Sequence, residues 1–398
     1  MLFASHPKNV WNIFAIAVFA GLANASLLCA PVIATQLIAE LALTTRQTGL
    51  FFSIEFAGYC IAGFGGRWLL PHVSWHRITL LAIVIVVITN ACAVLLLHHW
   101  QPLLLLRLIG ASASAMIGII AMSSANRHPS AGRAYGIYIL GQCITGVVGL
   151  ALLPALFAHW GVRVYFVSMA LLFCLAAFMV PLLHSGESIH AGTDAFSSHP
   201  SIMDGKDHTI RVVLRRAAVF LFYTGLSGIW TFSGALGQRA GISNLHGGVL
   251  LSLAALAGVL GSTCAAWYGG RQDGTGSGST RIAVLVGYIL LIAALLTMTA
   301  PFGTTYIVGI ICFKFAWTFA VPFIFATVGR HDVDGKIIAE INLLAGLGLA
   351  VAPWIAGQIV AAGSLTLLLL SESALLLGSV ASVLVLQGHE QATQKHQK

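Results

Sequence analysis

Ile78-Thr79-Leu80-Leu81-Ala82-Ile83-Val84-Ile85-Val86-Val87-Ile88-Thr89-Asn90-Ala91-Cys92-Ala93-Val94-Leu95-Leu96-Leu97 is a run of twenty residues without a charged side chain. Only Thr79, Thr89 and Asn90 bring hydroxyl or amide groups to it. As a helix rising 1.5 Å per residue it would cover about 30 Å, the thickness of a bilayer's hydrocarbon core. Eleven comparable stretches flank it, near residues 11–36, 47–69, 102–124, 134–157, 163–183, 213–236, 246–268, 282–300, 304–327, 337–360 and 364–387. Turn signals such as Pro71-His72, Gln101-Pro102, His128-Pro129-Ser130 and Pro301-Phe302-Gly303 separate them. Hydrophobic residues make up 58% of the chain and charged residues 8%, against roughly 25% charged in a soluble domain. Twelve crossings of about 20 residues each leave connections too short to fold as a separate soluble domain. The chain reads as an all-α membrane protein with twelve transmembrane helices.

The cations fall almost entirely into every second connection. With the N-terminus inside, fifteen Lys and Arg lie in cytoplasmic segments and three, Arg46, Arg163 and Arg239, lie outside. Because short loops rich in Lys and Arg stay on the cytoplasmic side, both termini are expected in the cytoplasm. The net charge of +8 is explained by this bias, so no nucleic-acid partner is expected. Lys8 followed by an apolar run looks at first like a secretory signal. The run exceeds the roughly 7–15 residues of a signal core and continues past Pro31 without a cleavage site, so it is read as helix 1. All seven cysteines, Cys29, Cys60, Cys92, Cys143, Cys174, Cys264 and Cys312, sit in separate spans and form no CxxC pair. Disulfides, a metal cluster and a cofactor are therefore not expected.

One connection is long. Residues 184–211, rich in Ser, His, Gly and Asp, read as a cytoplasmic linker between a six-helix bundle at 1–183 and a second bundle with a short tail at 212–398. Three matches support a duplication. Gly65-Gly66-Arg67 ends helix 2 and Gly269-Gly270-Arg271 ends helix 8. Gly149-Leu150-Ala151-Leu152-Leu153-Pro154 lies on helix 5 and Gly348-Leu349-Ala350-Val351-Ala352-Pro353 on helix 11. Arg107 is the lone cation of helix 4 and Lys314 that of helix 10. The offsets are 204, 199 and 207 residues, so helices 1–6 map in order onto helices 7–12.

Two parallel six-helix repeats are the arrangement of the major facilitator superfamily, and local residues resemble its patterns. Arg107-Leu108-Ile109-Gly110 looks like the superfamily's helix-4 motif. His159-Trp160-Gly161-Val162-Arg163-Val164-Tyr165-Phe166 is similar to the Trp-Gly-x-Arg-x-x-Phe that starts its helix 6. The chain departs between Gly66 and Arg77, where Leu70 and Pro71 replace the usual Asp-Arg pair and only His76 and Arg77 keep the basic end. The helix-5 signature of many exporters is also degenerate around Gly146 and Gly149.

Few ionisable residues fall within spans: Glu55, Arg107, Lys314, Glu340 and Glu372. A charge near the bilayer centre is costly, so such residues face a cavity or a partner. Glu55 and Arg107 differ in depth by only about 3 Å at 1.5 Å per residue, close enough to pair. An opposite charge favours an ionised carboxyl and an apolar pocket the neutral one, so Glu55 reads either as a proton carrier governed by Arg107 or as one half of a fixed ion pair. The resemblance implies that helices 1, 4, 7 and 10 line a central cavity, which would set Lys314 opposite Arg107. Two cations with Trp230, Phe315 and Trp317 suit a substrate that has a carboxylate and an apolar body. Snorkelling or a partner in its own half are the alternatives for Lys314.

Asn24 and Ser26 on helix 1 and Gln142 on helix 5 are offered as ligand contacts or as ties between helices. The resemblance also brings the ends of helices 2 and 11 together on closing, which would make Arg67 and Glu340 a cytoplasmic gate; a solvated helix end is the alternative. Glu372, with Ser371, Ser379 and Ser382, reads as part of a small-residue packing stripe on helix 12.

A transporter is the leading functional reading. No H-E-x-x-H, Gly-x-Ser-x-Gly or G-x-x-x-x-G-K-[ST] pattern supports an enzyme or an ATP-driven machine. The expected partners are a small-molecule substrate, the proton as coupling ion and the lipid bilayer. The substrate is expected to be an organic anion moved by alternating access, with a proton-coupled multidrug or metabolite efflux pump as the alternative. The chain is expected to be a monomer in a bacterial inner membrane.

Overall fold

The computed structural model describes residues 7–128, 131–183, 205–270, 278–328 and 336–396, which form helices and no strand. In chain order these are α1 (Pro7–Ala23), α2 (Ala25–Leu28), α3 (Ala30–Leu41), α4 (Thr45–Leu69), α5 (Trp75–Leu95), α6 (Trp100–Arg127), α7 (Ala131–Trp160) and α8 (Arg163–Ala176), followed by a 3-10 turn (Ala177–Leu182). Then come α9 (Gly205–Arg239), α10 (Asn244–Gly270), α11 (Gly278–Thr297), α12 (Gly303–Val328), α13 (Lys336–Ala361) and α14 (Leu365–His396). Eleven segments, α4 to α14, are long and apolar enough to cross a membrane. Together with the broken first span, α1 to α3, they make the twelve crossings of the fold class read from the sequence.

The first span is where the expected continuous helix fails. Pro31 has no N–H, and in an unbroken helix its ring would strike the carbonyl of residue 27. The chain relaxes at two hinges, Asn24 (φ −107°, ψ 5°) and Cys29 (φ −100°, ψ 7°), and Pro31 is left in the first turn of α3, where no N–H is needed. Elsewhere the differences concern ends. Residues 184–204 of the expected linker lie outside the described residues, while 205–211 form the opening turns of α9. α14 runs nine residues past its expected end at 387, through a stretch containing Glu390, Gln391, Ala392, Gln394 and Lys395, all good helix formers.

The chain divides into two compact units, one of residues 1–44 and 50–193, the other of 45–49 and 194–398. In the first, α1 packs on α6 and α7, and α5 packs on α6 and α8, around buried Phe19, Trp75, Ile83, Ile117, Ile120 and Phe173. In the second, α9 packs on α13 and α14, and α12 on α10 and α11. The third span thus lies on the fourth and the first on the fifth in both units, as a duplicated chain requires.

Candidate functional site

A buried polar cluster is built on Arg107, about two turns into α6. Arg107 is 4% exposed and Glu55 of α4 is 1% exposed. Arg107 Nε donates to Glu55 Oε2 at 2.5 Å and Nη2 donates to Oε1, a two-pronged ion pair. Nη1 donates to Asn90 Oδ1 of α5 at 3.2 Å, and Nη2 to Ser26 Oγ of α2 at 3.3 Å. Ser26 in turn shares a hydrogen bond with the Tyr165 hydroxyl of α8. The guanidinium carbon lies 5.9 Å from the ring centres of Phe51 and Tyr165 and 5.5 Å from that of Phe166. Five elements therefore contribute to one charge pair. Such a pair is tolerable in an apolar interior only with close geometry and satisfied hydrogen bonds.

Local sequence explains why these side chains arrive together. The break at Asn24 gives Ser26 its own short helix, so it is not bound to the register of α1. Gly161 turns the chain at φ +67°, a conformation costly for any residue with a Cβ. Glu40 packs into that turn and accepts the Val162 N–H at 2.5 Å, capping the start of α8 and fixing the direction in which Tyr165 and Phe166 leave. The two stretches that carry the family resemblance, one around Arg107 and the other from His159 to Phe166, thus meet at one guanidinium.

A cavity of about 20 Å³ beside the pair is lined by Ser26, Glu55, Tyr59, Asn90, Arg107 and Tyr165, room for about one water. A second cavity of about 120 Å³ is lined by Asn24, Tyr59, Ala115, Gly118, Met122 and Tyr138. Tyr59 borders both and donates to the Ala23 carbonyl at 3.0 Å. The Asn24 amide donates to the Ala20 carbonyl at 3.0 Å, and Gln142 is half-buried on α7.

In the other unit Lys314 of α12 places Nζ 3.9 Å from the Trp230 ring centre and 4.3 Å from that of Trp317. The two indoles meet edge to face with centres 6.4 Å apart. Tyr306 fixes α12 to α9 by donating to the Ser233 carbonyl at 2.9 Å. Phe315 does not join this group; its ring stacks on Phe319 at 6.1 Å. Glu340 accepts a hydrogen bond from Arg216 of its own unit, a partner the sequence reading did not weigh against Arg67, which is exposed on the last turn of α4. Glu372, read as stripe packing, is a carboxyl 1% exposed.

Sequence reasoning overlooked Asn90, Tyr59, Tyr138 and Tyr165. Asn90 did carry a signal, as the one amide in the run from Ile78 to Leu97. Tyr165 lay within the quoted stretch from His159 to Phe166, while Tyr59 and Tyr138 carried no signal, because an aromatic ring in a span usually packs against lipid or protein.

The sequence profile of the Major Facilitator Superfamily matches residues 13–353. The chain belongs to that superfamily. Its architecture agrees with solved members. A bacterial homologue of the human lysosomal transporter Spinster, inward-facing and unoccupied, superposes with a TM-score of 0.64 at 18% identity, over 96% of this chain and 95% of that one. The nucleoside transporter NupG gives 0.69 at 11%, over 98% and 100%, and the POT-family transporter PepTSo gives 0.72 at 11%, over 98% and 99%. No curated protein matches the chain by sequence. As a Major Facilitator Superfamily member the chain is an integral membrane transporter and not an enzyme.

Proposed function

We propose that this transporter moves a small organic anion by alternating access coupled to protons, in a bacterial inner membrane. The observation that carries the coupling is the buried Glu55–Arg107 pair beside a cavity with room for a water. An ionised Glu55 holds both prongs of the guanidinium. Protonation would remove that charge, loosen the fork and leave Arg107 to its bonds with Asn90 and Ser26. A proton is thereby exchanged for a rearrangement among α2, α4, α5 and α6. Arg107 belongs in this reading to the coupling apparatus, since its donors are already engaged within its unit. Lys314, framed by Trp230 and Trp317, is the group offered to a carboxylate, and the indole faces suit an apolar body.

Reconstituted protein tests this directly. Glu55→Gln should keep counterflow exchange and lose accumulation against a gradient, because the exchange half-cycle does not require the proton to leave. Gradient-driven accumulation by that variant at the wild-type level would reduce Glu55 to a structural role. Matched anionic and cationic ligands, measured by binding to purified protein, separate the substrate classes. Preference for the anion, weakened about tenfold or more by Lys314→Ala, is expected. Preference for the cation, unchanged by Lys314→Ala, would favour a drug-efflux pump.

A further inference from the structure

Glu372 of α14 has no part in that scheme. It is 1% exposed, and its Oε2 has no hydrogen-bond partner among the described residues. Its other oxygen lies against Gly228 of α9, where an added Cβ would overlap Oε1, and Ala356 of α13 closes the same notch 3.0 Å from that Cβ position. One turn earlier on α9, a Cβ on Gly225 would come within 3.3 Å of the Glu372 carbonyl oxygen. The notch that receives the carboxyl exists because α9 bears glycine at both positions.

The described ionisable groups of the elements packed around α14 are either held by other partners or stand away from the notch along their helices. On α9, Tyr223 packs on Phe222 and Phe325, Arg216 pairs with Glu340 of α13, and Arg239 donates to the Thr299 carbonyl. Arg211 and Arg215 lie thirteen or more residues before Gly228, about 20 Å along the helix. On α11, Tyr288 bonds Ser379, two turns along α14 from Glu372, and Arg281 stands two turns before Tyr288. On α12, Tyr306 is bound to the Ser233 carbonyl and Lys314 lies between its tryptophans. No cation is therefore aimed into the notch among the described residues. An ionised carboxyl buried without a counter-charge is costly, whereas the neutral acid is a modest polar group.

We propose that Glu372 is a second proton-binding site: a carboxylic acid that stays neutral while α14 packs on the glycine face of α9, and that yields its proton to water when those helices separate. The packed form requires the proton, and hydration of the notch releases it. Trp230 lies two residues beyond Gly228 and holds its ring over Lys314 at 3.9 Å, so a change of α9 at the notch is carried to the aromatic cover of that lysine. This inference does not rest on Glu55.

Dicyclohexylcarbodiimide, an apolar reagent that adds to protonated carboxyl groups, provides the test on the purified full-length protein in detergent. Labelled peptides would be quantified by mass spectrometry across a pH series, beside intrinsic tryptophan fluorescence. Glu372 should be labelled at neutral pH, with labelling falling about tenfold per pH unit above its midpoint and the fluorescence changing at the same midpoint. Glu372→Gln should abolish that label and the fluorescence step, and Glu55→Gln should leave both in place, so the two carboxyls are judged separately. Absence of label on Glu372 at every pH, or a label that does not vary with pH, overturns the proposal. The wild-type labelling decides the matter even if Glu372→Gln fails to fold.

Discussion

Arg107 and Glu55 are each tolerable in the interior only because of the other. Removing one member of a buried pair leaves an uncompensated charge and costs about 3–5 kcal/mol, whereas replacing both with apolar groups is often neutral. Arg107→Met and Glu55→Leu should each lower the thermal unfolding midpoint in detergent sharply, and the double variant should recover most of the loss. Additive losses in the double variant would mean that the two side chains act through other contacts. Gly161 and Glu40 form a second coupled pair, structural in character. A side chain forced into a left-handed conformation costs about 1–2 kcal/mol, and loss of a helix cap about 1 kcal/mol. Gly161→Ala should destabilise by the larger amount, because its Cβ would also overlap the Glu40 carboxylate. In a Glu40→Ala background the same substitution should cost less, a coupling that a double-mutant cycle of unfolding midpoints measures.

The elements show where local sequence decides conformation and where packing does. The uninterrupted run from Ile78 to Leu97 announces a spanning helix by length and composition, and α5 follows it within a few residues. The first span is apolar on both sides of Pro31, and its length past that residue reads as one helix, although the proline ring breaks it. What could not be read is that hinges at Asn24 and Cys29 bring Ser26 to Arg107, since that depends on α6 and α8 packing alongside. The pairing of Glu55 with Arg107 was legible from depth alone. Asn90, from a third helix, was not, because depth says nothing about the direction a side chain faces. Glu372 was legible only as a member of a small-residue packing stripe; its carboxyl oxygen without a partner appears only once α9 and α14 are assembled. The hinge makes a test of its own. Pro31→Ala removes the clash that holds α2 and α3 apart, so the segment should straighten into one helix and draw Ser26 away from the guanidinium. Hydrogen exchange at the amides of residues 25–30 should then slow relative to wild type. Unchanged exchange would assign the break to Asn24 and its neighbours.

For the whole molecule, the duplication seen as three weak sequence matches reappears as packing, with the first span on the fifth and the third on the fourth in each unit. The two units have nonetheless diverged in their central charge: Arg107 is locked in a carboxylate fork, while Lys314 is framed by indoles. Such asymmetry suits a transporter whose two units do different work, with the carboxylate fork in the first and the indole-framed lysine in the second. Orientation in the membrane follows from charge and not from the fold, because helices pack identically whichever way they insert. With fifteen cations assigned to one side and three to the other, insertion should place both termini and the 184–211 connection in the cytoplasm. Single cysteines decide this in a background with the seven native cysteines replaced. Ser243→Cys, between α9 and α10, should react with an impermeant maleimide added to intact cells, whereas Ser197→Cys and Ser279→Cys should react only after the membrane is opened. Labelling of the latter two from outside, with Ser243→Cys protected, would reverse the orientation and place the Arg67 end of α4 and the Arg216–Glu340 pair on the external face.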